Sequence, residues 1–258
     1  MKTSLLLWCM AALLSMPTLL NAQDKKETRK FYVVVDEVKP SKYLEYKEAV
    51  TGFRAFLEEK SYPYPVYIFS DDEFNFYYNY PVGKSFASLD SLFSDWDQHY
   101  QKDKAGWDRT FDAFNGNYHG STECIMTWVE SLSYTSPSGA RGALDYPLTD
   151  VMAWYVLPGQ MKEAKQLMKD WVKLYQDNNI DLGFSTYVGG LGSDRPMMWI
   201  ISRFKDRTEY GAMTDVANKQ LEEVEGMKEL WAKTIKITRK IENSLGWYQD
   251  KLSYIPEE

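Results

Sequence analysis

Cysteine and histidine are nearly absent from this chain, two of each among 258 residues. Cys9 lies in an N-terminal segment that reads as removable, so Cys124 would stand alone, and an intramolecular disulfide is excluded. His99 and His119 have no second histidine or cysteine at metal-ligand spacing, which argues against a structural zinc site. No later stretch approaches the ~20 consecutive apolar residues that a transmembrane helix needs. There is no basic stripe either. A net charge of -7, with acids spread along the chain, points to solubility and away from nucleic acid. A Gly-x-Ser-x-Gly elbow is missing. The glycine-rich loop at 189–194 lacks the last glycine of a dinucleotide fingerprint and joins two strands instead of opening a helix.

What is present begins with an export signature. Lys2, an apolar run over 5–20 and Leu20-Asn21-Ala22 before Gln23 read as a secretory signal peptide spanning 1–22. The remainder is expected to be periplasmic or secreted. Without disulfides it must rest on a packed core, and the 16% of aromatic residues supplies much of that core.

The chain also repeats itself. Leu132-Ser133-Tyr134 returns as Leu252-Ser253-Tyr254, and Trp128 has a neighbouring counterpart in Trp247. Strand-like runs are expected at 31–35, 64–69, 74–80 and 124–129, with helical stripes through Tyr43, Tyr46, Val50, Phe53 and Leu57, and through Leu89, Leu92, Phe93 and Trp96. The order recurs: strands at 152–157, 182–188, 196–204 and 247–255, a helix through Ala164, Leu167, Met168, Trp171 and Tyr175, and a long helical region reaching Ile241 and Leu245. The segment 136–150, opened by Ser136-Pro137-Ser138-Gly139, reads as a linker between domains at 23–135 and 151–258.

A βαββαβ order is the ferredoxin-like unit, with both helices on one face of an antiparallel sheet. The other face cannot stay bare, because each large apolar side chain costs about 1.5–3 kcal/mol to expose. The expected fold is therefore α+β, two tandem units with their antiparallel sheets packed face to face into a closed sandwich or barrel, an intrachain version of a dimeric α/β barrel, with the helices outside. In this element order and patterning the chain resembles the dimeric α/β-barrel superfamily, including its NIPSNAP-like and antibiotic-biosynthesis-monooxygenase-like groups. The resemblance covers nearly all of residues 23–258. It implies a pocket between the sheets, where relatives bind small, often aromatic, molecules or haem. Because the duplication already supplies two sheets, a monomer with internal pseudo-two-fold symmetry is expected.

Candidate ligand-binding residues are the strand aromatics Tyr32, Tyr67, Tyr78, Trp154, Tyr187 and Trp199, together with His119 and Arg203. His119, just before a strand, is the one histidine placed to meet a haem iron. Arg203 continues the Met197-Trp199-Ile201 face; near the strand end it is expected to reach solvent, and if turned inward it would be held by an acid or be available to an anionic ligand. Cys124 reads as a small apolar strand residue and Asp71-Asp72-Glu73 as a solvated turn. The leading expectation is a binder of a small apolar or aromatic molecule between the sheets. The alternatives are a haem-binding or cofactor-independent oxygenase-type enzyme and an interaction protein without a ligand.

Overall fold

The computed structural model describes residues 27–257; the signal peptide expected at 1–22 lies outside them. Strands β1 (Thr28–Val38), β2 (Tyr67–Asp71), β3 (Asn75–Gly83) and β4 (Tyr118–Val129) are interleaved with helices α1 (Tyr43–Glu59), α2 (Phe86–Lys102) and α3 (Lys104–Asp112). The second half follows with β5 (Leu148–Val156), α4 (Met161–Asp177), β6 (Ser185–Gly189), β7 (Met197–Phe204), α5 (Arg207–Glu223), α6 (Met227–Ile237) and β8 (Thr238–Tyr248). Helix α1 buries Tyr46, Ala49, Val50, Phe53 and Leu57, the stripe its spacing predicts.

The strands close into one barrel in the order β1-β3-β2-β8-β5-β7-β6-β4. Each half contributes the same local order: its fourth, first, third and second strands. The halves therefore meet edge to edge, β2 on β8 and β4 on β6, and not as two stacked sheets. Closure satisfies four strand edges that face-to-face packing would leave with unpaired backbone groups. The last strand also differs from its expected place, running 238–248 instead of 247–255. Ile241 and Leu245 are four residues apart, a spacing that is near one helical turn and also an even number, so it suits one face of a strand equally well.

The two seams are short, with three residue pairs each. Both are extended by the repeated tripeptide. Tyr134 pairs with Phe184 by two backbone hydrogen bonds of 2.9 Å, and Tyr254 pairs with Val66 at 2.8 and 2.9 Å. The Ser133 hydroxyl accepts from the Thr186 N–H, and the Ser253 hydroxyl accepts from the Ile68 N–H, both at 2.9 Å. Leu132 packs into the second half's core, while Leu252 and Tyr254 pack into the first's. Each half thus sends its tail into the other. Removing one hydroxyl orphans a buried donor, a loss of about 1–3 kcal/mol. Ser133→Ala and Ser253→Ala are each expected to lower stability by that amount, read as a drop in urea midpoint with an unchanged m-value.

Candidate functional site

Two cavities border the first sheet, one on each face. The barrel lumen holds ≈ 580 Å³, walled by alternate residues of all eight strands among those described. The other lies outside the barrel. It holds ≈ 630 Å³ between the outer face of β1, β3 and β4 and helices α1, α2 and α3.

The strand aromatics divide between these spaces. Tyr67, Tyr187, Trp199 and Arg203 face the lumen. Tyr32 and Tyr78 face the outer cavity, so they are not between the sheets. In β3 it is the more polar set, Asn75, Tyr77 and Asn79, that turns inward, while Phe76, Tyr78 and Tyr80 point toward the helices. The helix-covered face is the drier one and takes the larger apolar residues. Trp154 lines neither cavity; it is buried in the second half's outer layer beside Met168 and Met198. His119 is exposed near the start of β4 and also lines neither cavity. His99 packs edge-on to Tyr62 with ring centroids 5.4 Å apart. No imidazole borders either cavity, so the residues do not fit a histidine-ligated haem there.

Arg203 corrects the expectation that it would reach solvent. Its guanidinium turns inward and sits 5.2 Å from the Phe69 ring centroid, while its Nη1 is closed off without a hydrogen-bond partner. Burial lowers its pKa, and the nearby Tyr187 hydroxyl opposes that shift. Asp71, across the same wall, does not neutralise it: its carboxylate accepts from Tyr77 Oη at 2.7 Å, from Asn75 Nδ2 at 2.9 Å and from two backbone N–H groups. Cys124 pairs in register with Val33, and burial pushes its thiol up to about 11. That keeps it an unreactive protonated thiol near neutral pH.

The outer cavity contains a constellation that the sequence reading passed over. Asp36, buried on β1, accepts a 2.5 Å hydrogen bond from the Tyr46 hydroxyl of α1, which is 2.7 Å from the Tyr78 hydroxyl of β3. With the Tyr46 proton given to Asp36, Tyr78 is the donor in the second bond. The chain is therefore directional, from Tyr78 through Tyr46 to Asp36. Tyr78 and Asp36 both line the cavity, whose other walls include Tyr32, Tyr80, Phe93, Trp96 and Phe111. Burial, reinforced by the Asp36 charge, holds Tyr46 and Tyr78 far above the ordinary tyrosine range. Both stay protonated at any physiological pH.

The second half has no such chain. Val34 pairs with Tyr78 in the first sheet, and Trp154 pairs with Met198 at the corresponding place in the second. Two residues further along each strand stand Asp36 and Val156, and the fourth residue of α1 is Tyr46 where α4 has Ala164. Asp36, Tyr46 and Tyr78 are thus matched by valine, alanine and methionine, all buried. A carboxylate at a position where the other half carries an aliphatic residue was the available signal.

No protein-family model matches the chain, nor does any curated protein sequence. Solved structures do match. An anthrone oxidase-like protein superposes with a TM-score of 0.61 at 14% identity, covering 93% of this chain and 97% of its own. Candidate monooxygenases from Lactobacillus acidophilus and Fusobacterium nucleatum each give 0.51, at 8% and 13% identity, covering 89% and 86% of this chain and 97% and 92% of theirs.

The buried tyrosines set a pH limit. Tyr46, Tyr78 and Tyr80 all have folded pKa values above the unfolded value near 10, so their stabilisation is complete below about pH 10 and falls as pH rises beyond it. Each group contributes up to about 1.4 kcal/mol of loss per pH unit. Tyrosinate absorbance at 295 nm from these residues is expected to appear together with loss of tertiary circular dichroism, and not before it. With two βαββααβ sets closing one eight-stranded barrel, the chain shares with these solved structures the fold of a dimeric α/β barrel.

Proposed function

We propose that the protein is an oxygenase-type enzyme acting on a small, electron-rich aromatic molecule held in the outer cavity of the first half. The observation that carries this reading is the directional chain Tyr78–Tyr46–Asp36 opening into an aromatic chamber. The fold-level likeness to an anthrone oxidase-like protein and to candidate monooxygenases favours it over the non-catalytic binder expected from the sequence.

Molecular oxygen reacts slowly with neutral aromatics and much faster with their deprotonated, electron-rich forms. The protein's task is then to remove one proton from a C–H or O–H group and keep water away while it does so. Asp36 is the terminal acceptor. A proton given to the Tyr78 oxygen moves on as Tyr78 passes its own proton to Tyr46, and Tyr46 passes its own to Asp36. For an anthrone-type methylene the balance is complete with oxygen alone: the CH₂ becomes C=O, one oxygen atom enters the product and the other leaves as water. Phe93 and Phe111, 44% and 39% exposed, mark the cavity rim through which a planar substrate would enter.

We further propose that the chain is exported, supported by the charge and apolar pattern of residues 1–22, and that it arose by tandem duplication, supported by the repeated Leu-Ser-Tyr and the matching strand orders. Because its own halves complete the barrel, we also propose a monomer, which light scattering can test.

The activity test is oxygen uptake at mildly acidic pH with anthrone as probe, in buffer containing chelator and no added flavin. Wild-type protein is expected to consume oxygen above background and to form the quinone product. Asp36→Asn should lower kcat by about 10²–10⁴-fold with KM little changed, and Tyr46→Phe, which breaks the chain in its middle, should act in the same direction. Wild-type uptake at background, or an Asp36→Asn protein with full turnover, would reject the reading.

A further inference from the structure

We infer that the barrel lumen is a second, separate binding site, and that it takes an aromatic carboxylate whose anionic end is received by Arg203. Three features lead there. The lumen is a real space of ≈ 580 Å³, within the 300–1,000 Å³ range of small-molecule pockets. Its walls offer aromatic faces to a ring: Tyr77 and Trp199 meet edge to face at 6.2 Å, and Phe31 and Tyr187 at 5.8 Å. Its cation has no carboxylate partner: the guanidinium lies against the Phe69 ring and the Tyr187 hydroxyl, and Nη1 is shielded and bonded to nothing.

A buried cation without a partner is costly, and natural cores avoid it. The acids on the same walls are already engaged or outside. Asp71 is occupied by Tyr77, Asn75 and two backbone N–H groups. Glu242 is exposed, bridged to Lys240, and shares a hydrogen bond with Tyr155. Glu73 is exposed at the rim. In register, Arg203 lies beside Thr149, which lies beside Gly246, followed by Asp71. A side chain at 246 would meet the Ser70 carbonyl at 2.8 Å and the Thr149 hydroxyl at 3.0 Å, so glycine keeps this wall clear next to the guanidinium. The planar fork of arginine suits a carboxylate, and the surrounding rings suit the aromatic body attached to it.

The site is independent of the outer cavity, whose lining carries Asp36, Asp97, Asp112 and Glu123 and neither lysine nor arginine. That chamber offers an incoming carboxylate no guanidinium or ammonium to pair with.

The experiment is calorimetric titration of the full chain with 2-naphthoate and with its uncharged analogue 2-naphthamide. One naphthoate per chain is expected, bound at least tenfold more tightly than the amide. Arg203→Met should abolish that preference while leaving the unliganded protein as thermally stable as wild type or more so, because an unpaired buried charge has been replaced by an apolar chain. Equal affinity for acid and amide in wild type, or a preference retained by Arg203→Met, would overturn the inference. Should Arg203→Met fail to fold, Ala153→Phe decides, since it narrows the lumen and spares Arg203. Lost naphthoate binding supports the site, and intact binding rejects it. Asp36→Asn should leave naphthoate affinity unchanged; a change there would place the acid in the outer cavity and sink the proposal without touching the oxygenase reading.

Discussion

Barrel closure is the constraint on which everything else depends, and it rests on two narrow seams. Strand 2 of each half is only five residues long and meets strand 4 of the other through three residue pairs. Three residue pairs are a slender join between sheets of this size. The tails after β4 and β8 make up the difference by crossing into the opposite half, where a tyrosine extends the pairing, a serine answers a backbone N–H and a leucine enters the foreign core. Because each tail needs the other half already in place, the halves are interdependent. A lumen exists only when both seams are shut.

Closure also separates the two faces of every strand by function. Inward residues meet a chamber of limited width, so they include small or polar groups such as Ala153, Ser244 and Gly246. Outward residues meet helices and pack densely. In the second half that outer layer is filled by Trp154, Trp171 and Met198. In the first half the equivalent layer is interrupted by a buried carboxylate, two committed tyrosines and a cavity. Placing Asp36 there carries a desolvation cost that an aliphatic residue, as at Val156, avoids. The same scaffold therefore shows both the filled version of the layer and the version opened for chemistry.

Much of this architecture was legible in the sequence. The repeated tripeptide and the repeated element order gave the barrel-forming units, because a period-two pattern and a 3.6-residue stripe are local signals. What escaped were properties that depend on partners far along the chain. The phase of β3 could not be read: Phe76, Tyr78 and Tyr80 alternate with Asn75, Tyr77 and Asn79, and both sets carry aromatics, so the residue pattern alone does not assign the faces. Taking the larger set as the lumen side put Tyr78 in the wrong chamber. Trp154 was misplaced for the same reason. Arg203 shares the Trp199 face but turns inward where solvent exposure is expected from the sequence, since only ring closure decides that a strand end points into a chamber. Asp36 and Tyr46 belong to different elements and their meaning lies in a contact, so the one local signal was the carboxylate at a position where the other half carries Val156.

The two cavities differ in how they handle charge, and this bears on what each can do. In the outer chamber, moving a proton from a bound aromatic to Asp36 removes one negative charge from the carboxylate as it creates one on the substrate. The total charge held out of water is the same before and after, so the step avoids the large penalty of making a new ion in a dry space. The two tyrosines take part without ionising, because their raised pKa values keep each one neutral between proton exchanges. The lumen is different. Arg203 brings in a positive charge that no carboxylate pairs with, and proton transfer is a poor remedy because guanidinium gives up its proton so reluctantly. An anion arriving from outside would complete that site, which suits the lumen to the ligand-holding role inferred for it, whereas the proton path of the outer chamber suits it to the reaction proposed there.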